Sequence, residues 1–378
     1  TKLSPITSFL FRKEDNPILI KQYEDENENN DEIEPVNYSP ILPTVLINGA
    51  TGIGTGFSVN IPQFNPKDIA NNILMMLEGK EPVVIHPWYR GFQGKIFKIQ
   101  DKKNNEIKYQ TNGIYEILDN NVVRITELPI GEWTEKYVET MREFIFDKKG
   151  TTKQFLDDVQ NDSGNNKIDI KLIFRGNSLQ TMIKNGTIEK ELKLTNTISL
   201  SNMHLHNANG KICKYDVIED IFYDFYSYRL DMYKKRKVYM GKYLENYMNI
   251  LKYKMMFIED YRKEVIILKG KEGDEVLNKL KELKYPKLSN DAYASEENKS
   301  YNYLTTMQIW SLTKEKIIEL NNDFVKSKKE YDDYMNTSVE DIWRREILEF
   351  IEKYNKWLID TEAEFNNDNK KKKNDNGK

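Results

Sequence analysis

Residues 46–58 read Leu-Ile-Asn-Gly-Ala-Thr-Gly-Ile-Gly-Thr-Gly-Phe-Ser, four glycines around one aliphatic side chain, Ile53. Glycine admits positive φ and lets a backbone come very close to another molecule. A stretch this rich in it is neither a helix interior nor a core strand. It is a turn or a place of close approach. The spacing G-x-x-G-x-G-x-G departs from the dinucleotide fingerprint G-x-G-x-x-G, and Phe57–Pro62 reads as extended chain where that fingerprint needs a helix. No Gly-Lys-Ser/Thr occurs, which excludes a P-loop. Pro43–Ile47, just ahead, is apolar and β-branched and predicts a strand. On spacing alone a turn-rich connector is the simplest reading, with Ile53 packed inside its domain.

The rest of the chain sets wide bounds. Its 378 residues predict two or three domains. Lysine and arginine number 57 against 60 acidic residues, a net charge of −3. That balance counts against the whole chain being a dedicated nucleic-acid module, yet it permits a local basic face. One cysteine, Cys213, excludes an internal disulfide and fits a reducing compartment. His86, His204 and His206 show no metal-ligand spacing. His204 and His206 fall on one face of a strand and read as a solvated pair. No apolar run approaches a membrane span, and Thr1 does not begin a signal peptide.

Periodicity then organises the chain. Residues 24–36 form an acidic, Asn-rich loop. Asn65 and Pro66 predict a helix start, with Ile69, Ile73, Met76 and Leu77 on one face and Gly79 as the stop. From Val83 to Ile130 the period is two, with strands at 95–99, 107–109, 114–117 and 122–125. Asn112-Gly113 and Asp119–Asn121 supply turns. A helix follows around 134–146 and a second α/β stretch from Ile168 to Met203. Beyond Tyr215, Met240, Leu244, Tyr247, Leu251, Met255 and Ile258 step by three and four, as do Ile317, Leu320 and Phe324 after Thr313. Two long helices around a compact piece predict an antiparallel arm with a tip, although both could belong to an ordinary bundle.

The order of these segments is specific. Pro40 through Ser58, His86-Pro-Trp-Tyr-Arg-Gly-Phe-Gln-Gly94, Ile125-Thr-Glu-Leu-Pro129 with Trp133-Thr134, and Ile309-Trp-Ser-Leu-Thr-Lys-Glu-Lys316 resemble the type IIA DNA topoisomerases, in the eukaryotic topoisomerase II branch. The likeness spans Leu3 to Trp357. It implies an α+β chain: the end of a winged-helix domain with the acidic loop (1–40), a mixed α/β tower domain that binds and bends DNA (41–214), the outgoing helix of a long antiparallel coiled-coil arm (215–265), a small helical tip domain (266–312), the returning helix (313–360) and a disordered basic tail (361–378). The family is a homodimer, joined at the arm tip, that cuts one duplex, passes another through and reseals the cut.

The resemblance also assigns residues. Ile53 would wedge between base pairs of the cleaved duplex, which an aliphatic side chain in the minor groove does by unstacking a step. Asn48, Gly52, Gly54, Thr55 and Gly56 would lie against the DNA beside it, with Thr51 and Ser58 as further contacts. Arg90 and Lys95, with Lys98, Lys102 and Lys103 beyond, would hold phosphates. A lysine-guarded β edge is the competing reading of that run. Tyr228, Arg229, Lys234, Lys235, Arg236 and Lys237 would act structurally or as electrostatic guidance, while Trp310 and Leu312 would anchor packing. The family's nucleophilic tyrosine falls just ahead of Thr1, outside this chain. Its acidic Mg²⁺ cluster and its ATPase domain have no counterpart here either, so no catalytic or metal-ligating residue is assigned. Mg²⁺ and ATP are expected for the complete enzyme, double-stranded DNA, a second copy and the enzyme's remaining domains as partners, and no membrane. The expected location is the nucleus, or a viral factory or the cytoplasm for a large DNA virus. A coiled-coil scaffold and a stand-alone DNA-bending protein are the other classes. The β-rich half argues against the first, and the weak basicity and dimerising arm argue against the second.

Overall fold

In the computed structural model of the chain the described residues are 3–24, 33–100, 107–146, 154–164 and 167–375, without the side chains of residues 100, 309 and 363–375. Lys102, Lys103, most of the acidic loop and the side chains of Lys370–Lys373 lie outside them. The chain divides into two compact units: residues 1–41 with 227–378, and residues 42–226. The first unit opens with α1 (Thr7–Leu10) and a 3-10 turn, Lys13–Ile18.

The second unit begins with α2 (Thr44–Asn48), where the sequence predicts a strand. A short apolar run does not by itself distinguish the two. Pro43, just ahead of the first turn, tips it to helix, since proline costs little where no N–H partner is needed. The helix stops at Gly49, with φ 69° and ψ 173°, a backbone region essentially reserved for glycine. There follow β1 (Ala50–Ile53), β2 (Ser58–Ile61) and α3 (Pro66–Leu77). The side chain of Asn65 caps α3 by accepting from the Lys67 N–H at 3.0 Å, and Ile69, Ile73, Met76 and Leu77 are all buried.

The β region contains β3 (Lys95–Gln100), β4 (Ile107–Asn112), β5 (Ile114–Asp119), β6 (Val122–Glu127), β7 (Leu156–Asn161), β8 (Ile170–Phe174), β9 (Thr195–Ser199), β10 (Met203–His206) and β11 (Ile212–Tyr215). Helices α4 (Thr134–Arg142), α5 (Ser178–Asn185) and α6 (Ile188–Glu191) interrupt it. All pairings among the described strands are antiparallel, in sheets ordered β3-β4-β9 and β5-β6-β8-β7 with the ribbons β1-β2 and β10-β11. Asn112-Gly113 therefore does not close a hairpin; the chain leaves one sheet there and enters another. Gly113 is needed because a Cβ would sit 2.4 Å from the Glu127 carbonyl oxygen. Val123, Ile125, Leu172 and Phe174 from the four-stranded sheet bury against Tyr137 and Met141 of α4 and Leu179 of α5.

Helix α7 (Ile218–Arg262) starts in the second unit and continues into the first. Beyond it lie α8 (Gly273–Glu282), α9 (Asn302–Thr305), α10 (Lys314–Asn336) and α11 (Val339–Asp375). Leu251, Met255 and Ile258 of α7 pack on Ile317, Leu320 and Phe324 of α10. Gly241 permits a close approach, since a Cβ there would be 3.0 Å from Met335 Sδ. The piece between the long helices buries Ile266, Leu280, Tyr285, Tyr301 and Leu304 in one core with Ile250 and Phe257 of α7. Leu312 packs against it, whereas Trp310 is 90% exposed and is not buried against any described residue.

The single returning helix expected over 313–360 is two. The chain extends at Thr337 (φ −77°, ψ 131°), and Ser338 restarts the helix by accepting from the Asp341 N–H at 3.0 Å. That is a Ser-x-x-Asp capping arrangement. Helix α11 also runs on to Asp375, through residues for which the sequence predicts an unstructured tail. No proline or glycine interrupts it before Gly377.

Near the start of α7 the arginines fold inward. Arg229 donates to Asp15 Oδ2 and to Ser39 Oγ, each at 2.7 Å, and Arg236 reaches Asp15 Oδ1 at 3.3 Å and pairs with Glu346. Both guanidinium groups flank the Tyr233 ring, at 4.1 and 4.7 Å from its centroid. Lys237 donates to the Thr337 carbonyl oxygen at the end of α10. Arg229, Arg236 and Lys237 are thus structural, while Lys234 and Lys235 stay exposed.

Candidate nucleic-acid interface

The glycine block folds as the end of α2 and the β1-β2 hairpin. Ala50 pairs with Ile61, and the register runs to Ile53 opposite Ser58. Gly54-Thr55-Gly56-Phe57 makes the turn, closed by the Gly54 N–H donating to the Phe57 carbonyl oxygen at 2.8 Å. Gly56 takes φ +83°. Ile53 stands at the turn with 94% of its surface exposed, so it does not pack inside the domain. Thr51, Thr55 and Asn48 are exposed as well.

The glycines separate by cause. Gly49 is required by the fold, because a Cβ would lie 2.8 Å from the Ile61 carbonyl oxygen and φ is positive. Gly52 and Gly54 are not: a Cβ would meet Val59 Cγ1 at 3.7 Å and the Phe57 carbonyl oxygen at 3.6 Å, ordinary contacts. Neither has the left-handed φ that favours glycine. The chain itself has no use for bare backbone on either side of Ile53.

A polar brace fixes the ribbon from behind. Asn60 N–H donates to the Asn202 carbonyl oxygen at 2.8 Å, and the Asn202 side chain donates to Ser58 Oγ. His204 Nδ1 lies 3.1 Å from the Ser58 carbonyl oxygen and 2.9 Å from Asn202 Oδ1, with its ring against Phe57. His204 therefore braces the hairpin rather than sitting solvated; His206, on the same face of β10, is exposed. Ser58 is spoken for by this brace. Asn202 and His204 lie far from the hairpin in sequence and carry no motif, so only the packing reveals their part.

The His86–Gly94 segment is tied to the same place through Gln63. The Gln63 side chain donates to the Asn48 carbonyl oxygen at 3.1 Å, and the Gln63 backbone carbonyl oxygen accepts from the Trp88 N–H at 2.8 Å. Phe64 N–H donates to the Leu46 carbonyl oxygen, and Phe64 bridges to Pro87. Burial pushes the Tyr89 hydroxyl pKa up. Arg90 is exposed in the turn that Gly91 completes at φ +84°, and Lys95 is exposed at the first position of β3. Because β3 is an edge strand, an edge-guarding role suits Lys95 and Lys98 as well as a phosphate role does. Lys95 and Lys98 also point to opposite faces of β3, since side chains alternate.

The family model for the DNA gyrase/topoisomerase IV A-subunit matches residues 1–348. The chain belongs to that family. Within the wider topoisomerase set, it is 32% identical to the DNA topoisomerase 2 of Acanthamoeba polyphaga mimivirus over 439 aligned residues, which cover 100% of this chain and 34% of that protein. It is 36% identical to the Arabidopsis thaliana DNA topoisomerase 2, covering 91% of this chain and 25% of that one. The crystal structure of the Plasmodium falciparum topoisomerase II DNA-binding, cleavage and re-ligation domain superposes with a TM-score of 0.85 at 30% identity, over 96% of this chain and 50% of that one. This topoisomerase-family chain thus spans between a quarter and about a third of the two whole relatives.

Among the described residues of this family member, no group of three or more His, Cys, Asp or Glu side chains could hold a metal ion. The Mg²⁺ implied for the complete enzyme finds no fitting donor set among them. No described helix is long and apolar enough to cross a membrane.

Proposed function

We propose that this chain is the DNA-gate and exit-gate portion of an ATP-dependent type II DNA topoisomerase, an enzyme that passes one duplex through a transient double-strand break in another. The observation that carries the reading is Ile53, 94% exposed on a braced hairpin between glycines the fold does not require. An exposed aliphatic side chain is costly in water and useful as a wedge. Entering a base step costs about a few kcal/mol of stacking, which the wider contact with bent DNA offsets. Bare backbone at Gly52 and Gly54 keeps Cβ atoms away from the flanking sugars, and the exposed Asn48, Thr55 and Gly56 would contact the DNA nearby. Arg90 and Lys95 would hold phosphates of the outer arms, contacts that position DNA without reading sequence.

On this reading residues 1–40 end a winged-helix domain and 41–214 are the tower that carries the wedge. Residues 215–360 are a coiled-coil arm whose tip, 266–312, joins a second copy. Breakage and ATP hydrolysis belong to other parts of the enzyme, which supply Mg²⁺ binding, the tyrosine nucleophile and the ATPase. The place of work is the nucleus, or a viral factory if the source is a large DNA virus.

The test is Ile53→Ala in the complete enzyme, read by energy transfer between the ends of a labelled duplex. Bending should fall and double-strand cleavage should weaken, while binding of straight DNA persists. Unchanged bending would sink the wedge.

A further inference from the structure

A second feature lies in the first unit. A cleft of about 390 Å³ opens between α7, the loop at Asn290 and the start of α10. Lys254 of α7 and Lys316 of the first turn of α10 both line it, with Thr306, Ser311 and Asn290. Both lysines are half-buried. Lys316 is paired with Glu319 at 2.7 Å. Lys254 makes no ion pair or hydrogen bond among the described residues. Asp323 lines the same cleft, yet it forms no ion pair with either lysine.

This arrangement is unfavourable as it stands. A half-buried ammonium loses hydration without a partner to replace it, and a second ammonium across the cleft adds repulsion. Burial first, and Lys316 second, hold the Lys254 pKa below the usual lysine value. Lys316 also sits at the positive end of α10, which adds to the local potential. An oxyanion between the two lysines would reverse both penalties through charge-assisted hydrogen bonds, with the Ser311 hydroxyl and the Asn290 amide as further donors for its remaining oxygens; the Thr306 hydroxyl already donates to the Asn302 carbonyl oxygen.

We propose that this cleft binds a small phosphate-type oxyanion between Lys254 and Lys316. The cleft has more room than a bare phosphate fills, so it also accommodates the organic part of a phosphate monoester. The site is independent of the DNA-gate reading, since it uses no residue of the hairpin.

The test is calorimetric titration of inorganic phosphate into the intact chain at ionic strength matched with chloride. Saturable binding is expected, weakened about tenfold or more in Lys254→Met, which keeps the aliphatic stem and removes the charge. Lys316→Gln is a second variant expected to weaken binding without endangering the fold, since the Lys316 side chain keeps 32% of its surface exposed. Asp323→Asn should tighten it by removing the carboxylate in the cleft. Adenosine monophosphate run in parallel separates a free ion from an ester, and tighter binding of either supports the site. The proposal is overturned if phosphate binds no better than chloride, or if Lys254→Met and Lys316→Gln both bind it as the parent does. It is also overturned if Asp323→Asn lowers the unfolding midpoint and leaves phosphate affinity unchanged, because Asp323 would then be the working partner of Lys254.

Discussion

Single side chains divide into those the chain uses for itself and those it leaves free for something else. Arg229, fully buried against Asp15 and Tyr233, belongs to the first kind, and Ile53 to the second. On the proposed reading Arg90 and Lys95 would bear on DNA binding through charge alone. Each phosphate contact adds close to one to the slope of log affinity on log salt. Neutralising both, as Arg90→Gln with Lys95→Gln in the complete enzyme, should therefore lower that slope by about two. Fluorescence anisotropy across a salt series measures it. An unchanged slope would leave Lys95 as a guard of the β3 edge and nothing more. The sequence marks Ile53 and its glycines as a unit, yet it does not say whether Ile53 faces inward, because glycine spacing fixes backbone freedom and not the direction of a side chain.

At the scale of elements, the β1-β2 hairpin makes a sharp comparison possible. Gly49→Ala forces a Cβ towards the Ile61 carbonyl oxygen in a Gly-only conformation and should cost about 1–3 kcal/mol. Gly52→Ala meets only ordinary contact and should stay within about 0.5 kcal/mol of the parent, while weakening DNA binding. Denaturant unfolding beside a binding titration reads both; a Gly52→Ala variant that binds normally would remove the clearance role. In the four-stranded sheet, Asp169 just ahead of β8 accepts from Arg124 Nε at 2.7 Å and from Lys167 at 2.9 Å. Those bonds, Arg124 first, hold its carboxyl well below the usual carboxylate range. A depressed folded pKa contributes stability that is fully present above the unfolded value of about 4 and is lost as pH falls below it. Asp169→Asn should therefore lower the thermal midpoint at pH 6, with the gap to the parent closing steadily below about pH 4. A gap independent of pH would assign the effect to packing instead. The sequence placed most strands and the α3 cap well, since alternation and Asn-Pro are local signals. It misread Pro43–Ile47 and Asn112-Gly113 because helix or strand, and hairpin or sheet crossing, depend there on what the segment packs against.

Across the whole first unit, the Asp15–Arg229–Arg236–Glu346 group ties residues near the start of the chain to α7 and α11. The Trp343 indole N–H donates to the Ile41 carbonyl oxygen at 3.0 Å and reinforces the same junction. Removing one member of a buried charge group leaves the other uncompensated, typically about 3–5 kcal/mol. Arg229→Met should fall at or near the low end, since Arg236 still reaches Asp15, and should lower the denaturant midpoint of the intact chain. An unaltered midpoint would mean that the group is replaceable by apolar contact. In the sequence, these arginines stood among a basic run near the base of a long helix and read as structural or as guidance. Two of them are buried, which no run of charges foretells.

The sequence by itself determined the family, the β-rich half against the helical part that follows it, and the block that carries Ile53. Each is written in local spacing or in an ordered set of motifs, and local backbone preferences survive folding. Only the tertiary structure decided that Ile53 is outside, that Gly49 serves the fold while Gly52 and Gly54 do not, that Asn202, His204 and Gln63 brace the site, and that Lys254 has no partner among the described residues. All of these depend on which distant segments come together. That is set by the burial of apolar surface and the pairing of polar groups across the folded chain, and periodicity along it holds no record of either.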